Sequence, residues 1–400
     1  MTSPDLLLRP AAHRPRTCLQ VLPALVTGGV ERGTVDMAVA QVKAGWRALV
    51  ASSGGPMVRE LDRAGAEHIV LPLDTKNPFI IRRNAARLAD LIRLEAVDLV
   101  HARSRAPGWS AWQASRTTGT PMITTFHGVY GLGLLGLKRR YNRVMTLGKR
   151  VIAISYFIRD HLIEQYAVAP ELIRVIHRGV DTATLDPNGV SPNRLIQLTT
   201  RWRLPDDGRV IMLPGRLTSW KGHMLLIDAL AELTRRGRRN LRCLMIGQDQ
   251  GRTRYHAAVL AHAATRGVDG AVQIIADCND MPAAYMATDV VVSASTRPEA
   301  FGRVVAEAQA MGRPVVAPDH GAAPEIIVPG VTGWLFTPGD PMALANALEQ
   351  ALDLDQQSRV RLAEAAIARA HGLFDKADMC AKTLAVYDEV VNERESVPAQ

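Results

Sequence analysis

The chain has 400 residues, of which 47% are hydrophobic and 22% are charged. This length and composition predict a globular protein of two or three domains. The longest apolar runs are too short to span a bilayer, and the four cysteines are scattered, so neither a membrane-spanning chain nor a disulfide scaffold is expected.

The net charge of +9 is unevenly distributed along the chain. Residues 1–180 contain 25 Lys and Arg against 13 Asp and Glu, whereas residues 181–400 contain 23 against 26. Nucleic acid, anionic lipid and a phosphorylated acceptor could each explain the basic half. Because aromatic residues make up only 5% of the chain, binding of single-stranded nucleic acid by stacking is disfavoured.

The first predicted structural unit follows a short basic segment. Residues 1–16 lack the apolar core of a signal peptide and are expected to form a flexible leader. A strand over Cys18–Leu25 is followed by a turn with Gly28 and Gly29, a helix over Glu31–Lys43 and a strand over Arg47–Ser53. This βαβ pattern predicts a phosphate-binding turn, although the turn lacks the G-x-G-x-x-G spacing of a dinucleotide site.

Two histidines stand at the carboxyl ends of later predicted strands. His101 ends the strand at 98–104 and His127 ends the strand at 121–128. The carboxyl edge of a parallel sheet is where ligands bind. A lone histidine at a strand end is also commonly structural, and both alternatives stay open. Arg103 and Arg105 lie close to His101 in the sequence, and the three are predicted to contact a ligand at this edge.

Residues 129–150 form a basic segment that contains six Lys or Arg and no acid. Leucines, Tyr141, Val144 and Met145 are interleaved with these charges. An apolar face beside a basic face is typical of a helix at an anionic membrane surface. The alternative is a core-packed helix with a solvated basic face.

The second half repeats the strand–helix alternation after a segment rich in Pro, Asn and Gly at 182–193, which is predicted to be a linker. The strand at 210–217 runs into a loop with Arg216 and Lys221 before the next helix. Two cations on such a loop suit a diphosphate. Solvated charges or a salt bridge to an acid would be the structural alternatives.

The stretch 289–318 carries the most specific pattern. An apolar strand, Asp289–Ser295, leads to Glu299, and a helix is predicted to start near Phe301 and Gly302 and to end before Gly312. Backbone amides of Ala300 to Gly302 would face an anionic ligand at that helix start. Glu307 lies two turns further on.

The sequence TRPEAFGRVVAEAQAMGRPVVAP at 296–318, together with Gly-Arg-Leu and Lys-Gly at 215–222, resembles the retaining glycosyltransferases of family 4, which have the GT-B fold. The resemblance implies that Glu299 contacts the donor sugar and Glu307 the nucleotide ribose. It implies a sugar-pocket role for His127 and a donor-diphosphate contact at Gly29. Arg178 stands where that family usually has Asn, and its role is left open.

The implied fold class is α/β, with two Rossmann-like doubly wound domains facing each other across a cleft. The expected boundaries are 17–181 for the acceptor-side domain and 194–370 for the nucleotide-sugar domain. His101, Arg103 and Arg105 in the first of these are predicted to contact the acceptor. Residues 371–400 are expected to form a helix that returns to the first domain.

The implied function is transfer of a hexose-type sugar from a UDP- or GDP-linked donor to a glycan or lipid-linked acceptor, with retention of configuration. Arg216, Lys221 and helix amides would offset the diphosphate charge, so no metal or other cofactor is expected. A role in lipopolysaccharide or cell-surface polysaccharide synthesis is expected, on the inner face of the cytoplasmic membrane. The rival hypotheses are a nucleotide-sugar epimerase and a non-catalytic basic binding protein; no nucleic-acid partner is expected.

Overall fold

The structure is a computed structural model that describes residues 14–131 and 137–396. The chain divides into two compact units. The N-terminal unit contains the described residues of Met1–Ile152, Leu162–Arg174 and Cys380–Gln400. The C-terminal unit contains Ala153–His161 and Val175–Met379.

A seven-stranded sheet with the order β3-β2-β1-β4-β5-β6-β7 forms the centre of the first half. Its central strands are buried on both faces, as expected for a parallel sheet covered by helices. The strands are β1 (Thr17–Val21), β2 (Arg47–Ser52), β3 (Glu67–Val70), β4 (Leu99–Ala102), β5 (Met122–Phe126), β6 (Val151–Ala153) and β7 (Ile173–Val175).

The helices of this half alternate with the strands. In α3 the side chain of Asn77 accepts a hydrogen bond from the Phe79 amide, and Pro78 occupies the first helical position, so the sequence sets this helix start locally. The helices are α1 (Gly29–Lys43), α2 (Val58–Ala64), α3 (Pro78–Leu94), α4 (Arg105–Thr118), α5 (Leu137–Asn142) and α6 (Tyr156–Tyr166).

A six-stranded parallel sheet with the order β10-β9-β8-β11-β12-β13 forms the C-terminal unit. The strands are β8 (Arg209–Pro214), β9 (Leu241–Ile246), β10 (Val272–Ile275), β11 (Val290–Val292), β12 (Val315–Pro318) and β13 (Trp334–Phe336). The helices in the second half of the chain are α7 (Pro192–Trp202), α8 (His223–Arg235), α9 (Thr253–Thr265), α10 (Met281–Met286), α11 (Arg303–Ala310), α12 (Ala323–Ile326), α13 (Pro341–Leu352), α14 (Gln356–Leu373) and α15 (Lys376–Glu395).

Each sheet has one point where the strand order reverses direction. In the first sheet it lies between β1 and β4, and in the second between β8 and β11. Loops that leave neighbouring strands diverge at such a point and leave a crevice at the carboxyl edge, where ligands of doubly wound sheets bind. These two switch points are therefore the places to look for functional side chains.

Three predicted boundaries can be compared with the structure. Within the predicted leader, Arg14 donates to Asp98 and Arg16 to Asp388, so residues 14–16 make specific contacts, while residues 1–13 lie outside the described residues. The predicted linker 182–193 lies inside the C-terminal unit, and its last two residues begin α7. Helix α15 belongs to the N-terminal unit from Cys380 onward.

None of the helices in the described ranges is long and apolar enough to cross a lipid bilayer.

Candidate active site

The switch point of the C-terminal sheet brings together the two loops that carry the predicted donor-binding residues. One loop leaves β8 and contains Arg216 and Lys221, and the other leaves β11 and contains Glu299. Since β8 and β11 are neighbours in the sheet, their carboxyl ends place these loops side by side.

Lys221 and Glu299 form an ion pair at this edge, with 2.7 Å between Nζ and Oε1. Their side chains are only 14% and 21% exposed, so solvent screens the attraction between the two charges less than it does in a surface pair. The same Oε1 accepts a hydrogen bond from Ser295, and Lys221 Nζ lies 4.5 Å from the centre of the Trp220 ring. In the described chain every hydrogen bond to this carboxylate goes to Oε1, which leaves Oε2 to accept from a ligand.

Two glycines allow the loops to approach this closely. Gly222 has φ +75°, and a Cβ atom there would overlap the carbonyl oxygen of Ala294. Gly321 has φ +63°, and its Cβ would lie 2.5 Å from the carbonyl oxygen and 2.7 Å from the amide nitrogen of Glu299. A side chain at either position would push apart the segments that hold the ion pair.

The second glutamate of the pattern is held by different partners. Glu307, on α11, accepts a hydrogen bond of 2.8 Å from the Tyr285 hydroxyl and one of 2.7 Å from Arg303. Tyr285 is fully buried, and burial, with the Glu307 charge nearby, raises its pKa well above 10.0. The phenol therefore stays protonated and donates to Glu307.

Helix α11 starts at Arg303, after Gly302 in the left-handed conformation with φ +86°. The first amides of a helix lack intrahelical partners and favour an anion. The side chain of Phe301 is buried, and the carbonyl of Ala300 accepts a hydrogen bond from Ser155 Oγ at 2.7 Å. The ligand contacts predicted for Ala300, Phe301 and Gly302 would therefore be made by their backbone amides, and they stay predictions.

Arg216 is exposed, and its guanidinium makes no hydrogen bond or ion pair within residues 14–131 and 137–396. Its position in the loop after β8 leaves this cation free to meet an anion beside Lys221. The structure thus joins Lys221 to Glu299 and leaves Arg216 uncompensated.

The switch point of the first sheet carries the predicted acceptor-side residues, but it is more enclosed. His101 is fully buried, with Nδ1 2.7 Å from the Tyr387 hydroxyl and Nε2 2.7 Å from the Thr125 hydroxyl. Arg103 is also buried and donates to the carbonyl of Gly33 at 2.7 Å. This burial favours a structural role for His101 and Arg103 over contact with an acceptor. Their contact with an acceptor stays a prediction.

Arg105 and His127 lie closer to the surface. Arg105 donates to Asn142 Oδ1 at 2.9 Å and stacks 4.2 Å from the centre of the Tyr130 ring. His127 directly follows β5 and is half-buried. The acceptor contact of Arg105 and the sugar contact of His127 stay predictions.

At Gly29, where a phosphate contact is predicted, the structure places the carboxylate of Glu31 close by. Gly29 begins α1, and a Cβ atom on Gly28 would overlap the carboxylate of Glu31. A negative charge therefore lies beside this helix start, where the resemblance places a donor diphosphate. Gly29 as a donor-binding residue stays a prediction.

The basic segment 129–150 is partly built into the core. Val144 and Met145 are fully buried, and Arg150 pairs with Glu389 at 2.7 Å. Leu132, Leu134 and Leu135 of the predicted apolar face lie outside the described residues. The cations that remain exposed are Lys138, Arg139, Arg140, Arg143 and Lys149, and the first four lie close together in the sequence.

Several residues of the site were not identified from the sequence. The hydroxyl of Ser295 could have been noted, because it ends an apolar strand at the functional edge. Tyr285 carries no such signal, since it lies 22 positions before its partner Glu307 and only the fold joins them. Gly321 likewise could not be identified from the sequence, because only the fold brings it against Glu299.

Comparison with known proteins now identifies the family. The model for "Glycosyltransferase Family 4" matches residues 27–184, and the model for "Glycosyl transferases group 1" matches residues 197–369. A D-inositol 3-phosphate glycosyltransferase from Frankia alni is 31% identical over 307 residues, which are 71% of this chain and 74% of that enzyme. The chain belongs to glycosyltransferase family 4.

Solved structures agree with this assignment to family 4 and with its GT-B fold. A glycosyltransferase from Rickettsia africae is 37% identical with a TM-score of 0.88, and the match covers 95% of this chain and 99% of that one. Anabaena Alr3699/HepE in complex with UDP-glucose is 26% identical with a TM-score of 0.79, over 92% and 99% of the two chains. Four other D-inositol 3-phosphate glycosyltransferases are matched over 52–55% of their length.

Within the described residues of this family 4 glycosyltransferase, no group of three or more His, Cys, Asp or Glu side chains is arranged to hold a metal ion. The pair Asp353 and Asp355, the sequence's only Asp-x-Asp, flanks the end of α13 and the start of α14. Metal independence stays a prediction, and so does the contact of Arg216 and Lys221 with a diphosphate.

Proposed function

We propose that this family 4 glycosyltransferase transfers a hexose from a UDP-linked donor to an acceptor hydroxyl with retention of configuration. The observation that carries the proposal is the shielded Lys221–Glu299 pair at the switch point, beside the uncompensated Arg216 and the start of α11. The UDP-glucose named for Anabaena Alr3699/HepE supports the donor class.

In the proposed donor complex Lys221 and Glu299 contact different parts of the nucleotide sugar. Lys221 and Arg216 contact the diphosphate, and the amides at the start of α11 add donors of the same kind. Glu299 accepts from a sugar hydroxyl through Oε2, while Lys221 and Ser295 fix its orientation through Oε1. Glu307, held by Tyr285 and Arg303, accepts from the ribose hydroxyls.

The reaction breaks the bond between the anomeric carbon and the diphosphate oxygen. Negative charge then develops on the leaving diphosphate, where Arg216 and Lys221 stabilise it, and positive charge develops at the anomeric carbon. The acceptor oxygen attacks from the face that the diphosphate leaves, and its proton passes to a diphosphate oxygen. In this scheme Glu299 orients a sugar hydroxyl through Oε2 and forms no covalent intermediate.

We propose that the acceptor is anionic and is bound by the N-terminal unit. Arg105 and the exposed cations at 138–143 supply positive charge there, and the name of the relative from Frankia alni refers to D-inositol 3-phosphate. A phosphorylated glycan or lipid-linked acceptor has the same charge. The lipopolysaccharide acceptor expected from the sequence has no support among the curated relatives, so it is one arm of the test.

The test is a panel of UDP- and GDP-sugars monitored for nucleoside diphosphate release. Each donor is incubated alone, with D-inositol 3-phosphate, and with a bacterial lipid extract, in the presence and absence of EDTA. We expect release only with a UDP-sugar plus an anionic acceptor, unchanged by EDTA, and a product whose anomeric NMR coupling matches the donor. Conversion of the donor's sugar without acceptor would support an epimerase instead, and a strict need for added Mg²⁺ would contradict the assignment of Arg216 and Lys221.

A further inference from the structure

His320 lies at the same edge of the C-terminal sheet as the proposed donor site. It is the second residue after β12, which ends at Pro318 and pairs with β11, the strand that leads to Glu299. The loop from Asp319 to Gly321 therefore emerges beside the loop that carries the sugar-binding glutamate.

This loop is held directly against the backbone of Glu299. The amide of Ala322 donates to the carbonyl of Glu299 at 3.0 Å, and Gly321 packs so closely that no Cβ atom would fit. Consecutive Cα atoms are about 3.8 Å apart, so the His320 side chain starts within one residue of that contact. The amide of His320 donates to the carbonyl of Pro318 at 2.8 Å, which keeps the loop compact.

The imidazole of His320 has unmet hydrogen-bonding capacity. Both Nδ1 and Nε2 are shielded from solvent, and neither has a hydrogen-bond partner in the described part of the chain. Buried polar atoms in folded proteins are nearly always paired, because an unpaired one forfeits its bonds to water. His101 at the other switch point shows the usual arrangement, with a partner on each ring nitrogen.

We propose that His320 is a further donor-binding residue whose half-buried imidazole turns toward the bound sugar and hydrogen-bonds to one of its hydroxyls. This inference rests on the proposed function, because it requires a sugar in the space next to Glu299. A hydroxyl both donates and accepts, and so do the two nitrogens of an uncharged imidazole. The diphosphate is the poorer partner, since Arg216, Lys221 and the α11 amides already serve it.

The test compares binding of UDP with binding of UDP-glucose by isothermal titration calorimetry on the full chain. The variants are His320→Leu, which removes both nitrogens at similar volume, and His320→Asn, which keeps a donor and an acceptor. Asp319→Asn is the matched control, since Asp319 is the exposed neighbour in the same loop. Thermal unfolding of every variant is measured alongside.

We expect His320→Leu to weaken UDP-glucose binding about 3- to 10-fold, the effect of one lost hydrogen bond, while UDP binding changes less than about twofold. His320→Asn should lose less, the control should bind as the unmodified chain does, and the leucine variant should unfold at the same or a higher temperature. Equal weakening of UDP and UDP-glucose, no weakening, or a loss as large in asparagine as in leucine would each overturn the inference. If the unmodified chain binds neither UDP nor UDP-glucose, the proposed UDP-linked donor is contradicted, and the inference on His320 is contradicted with it.

Discussion

The two switch points share a topology but differ in what they leave open to a ligand. At the C-terminal one, Lys221 and Glu299 hold each other at a partly exposed edge, and Arg216 is uncompensated. At the N-terminal one, His101 and Arg103 are buried and their polar atoms meet Tyr387, Thr125 and Gly33. The same position in a doubly wound sheet thus carries charges for a ligand in one unit and an internal hydrogen-bond network in the other.

The difference shows that position at a carboxyl edge is not sufficient to make a residue functional. A cation at such an edge can serve a ligand only if the fold leaves its charge accessible and incompletely compensated. Arg103 lies one residue beyond β4, as a ligand-binding cation would, yet it is 5% exposed. Removal of side chains at the two switch points should therefore have different consequences.

The largest expected effect is loss of catalysis at the C-terminal switch point. Lys221→Ala and Arg216→Ala should each lower kcat about 10²- to 10³-fold, because each removes a charge that stabilises the leaving diphosphate. Steady-state assays of nucleoside diphosphate release measure this. Arg239→Ala is the control, since Arg239 is exposed and precedes β9 at the opposite edge of the sheet. Near-normal turnover in both variants would remove the diphosphate assignment.

The two glutamates should separate by the step that they affect. Glu299→Gln should mainly lower kcat, because the neutral amide breaks the ion pair that orients Oε1 and Lys221. Glu307→Gln should mainly weaken UDP binding, by about 10-fold, since it loses a charge-assisted hydrogen bond. Glu364→Gln, an exposed position on α14, is the control. The reverse pattern in kcat and UDP affinity would mean that the two roles are exchanged.

At the N-terminal switch point the expected effect is on stability. His101→Leu leaves the Tyr387 hydroxyl without its partner in a buried site, and we expect a loss of about 1–3 kcal/mol in the free energy of unfolding. Donor and acceptor KM should stay unchanged in the folded fraction. A selective rise of the acceptor KM at unchanged unfolding temperature would instead support His101 as an acceptor contact.

The burial of His101 also leads to a prediction on how the stability of the fold depends on pH. Burial, with the Arg103 charge nearby, lowers the pKa of His101 well below 6.5. Below about pH 6.5 the unfolded chain takes up a proton that the folded chain refuses, so stability is lost as the pH falls. His223, whose pKa burial lowers to about 4, acts in the same direction. Thermal unfolding between neutral pH and about pH 5 should show this slope, and His101→Leu should flatten it.

The smallest expected effect concerns the exposed basic surface at Lys138, Arg139, Arg140 and Arg143. Each cation near an anionic bilayer contributes about 1 kcal/mol at low salt, but Val144 and Met145 are buried in the core and cannot insert. Binding to anionic vesicles should therefore be weak, abolished by salt and lost when the four residues are changed to Ser. Co-sedimentation measures it. Failure of the unmodified chain to bind at low salt would leave these cations as a solvated surface or an acceptor contact.

Much of the fold could be predicted from local signals. The alternation of apolar strands and periodic helices indicates the doubly wound architecture, and the Asn77 cap with Pro78 marks the start of α3. The segment 182–193 shows the limit, because its Pro and Asn residues predict a linker, whereas Ser191 caps α7 and Pro192 begins it. The same residue types serve turns and helix starts, so composition alone does not distinguish the two.

By itself the sequence determined the family, the fold class and the identities of Arg216, Lys221, Glu299 and Glu307 as candidate ligand contacts, because strand ends and motif spacing are local properties. Only the tertiary structure decided which polar groups are sealed and which are accessible. Lys221 meets Glu299 across 78 positions and His101 meets Tyr387 across 286. Burial and pairing depend on such non-local neighbours. The difference between the accessible C-terminal switch point and the buried N-terminal one is therefore decided by packing.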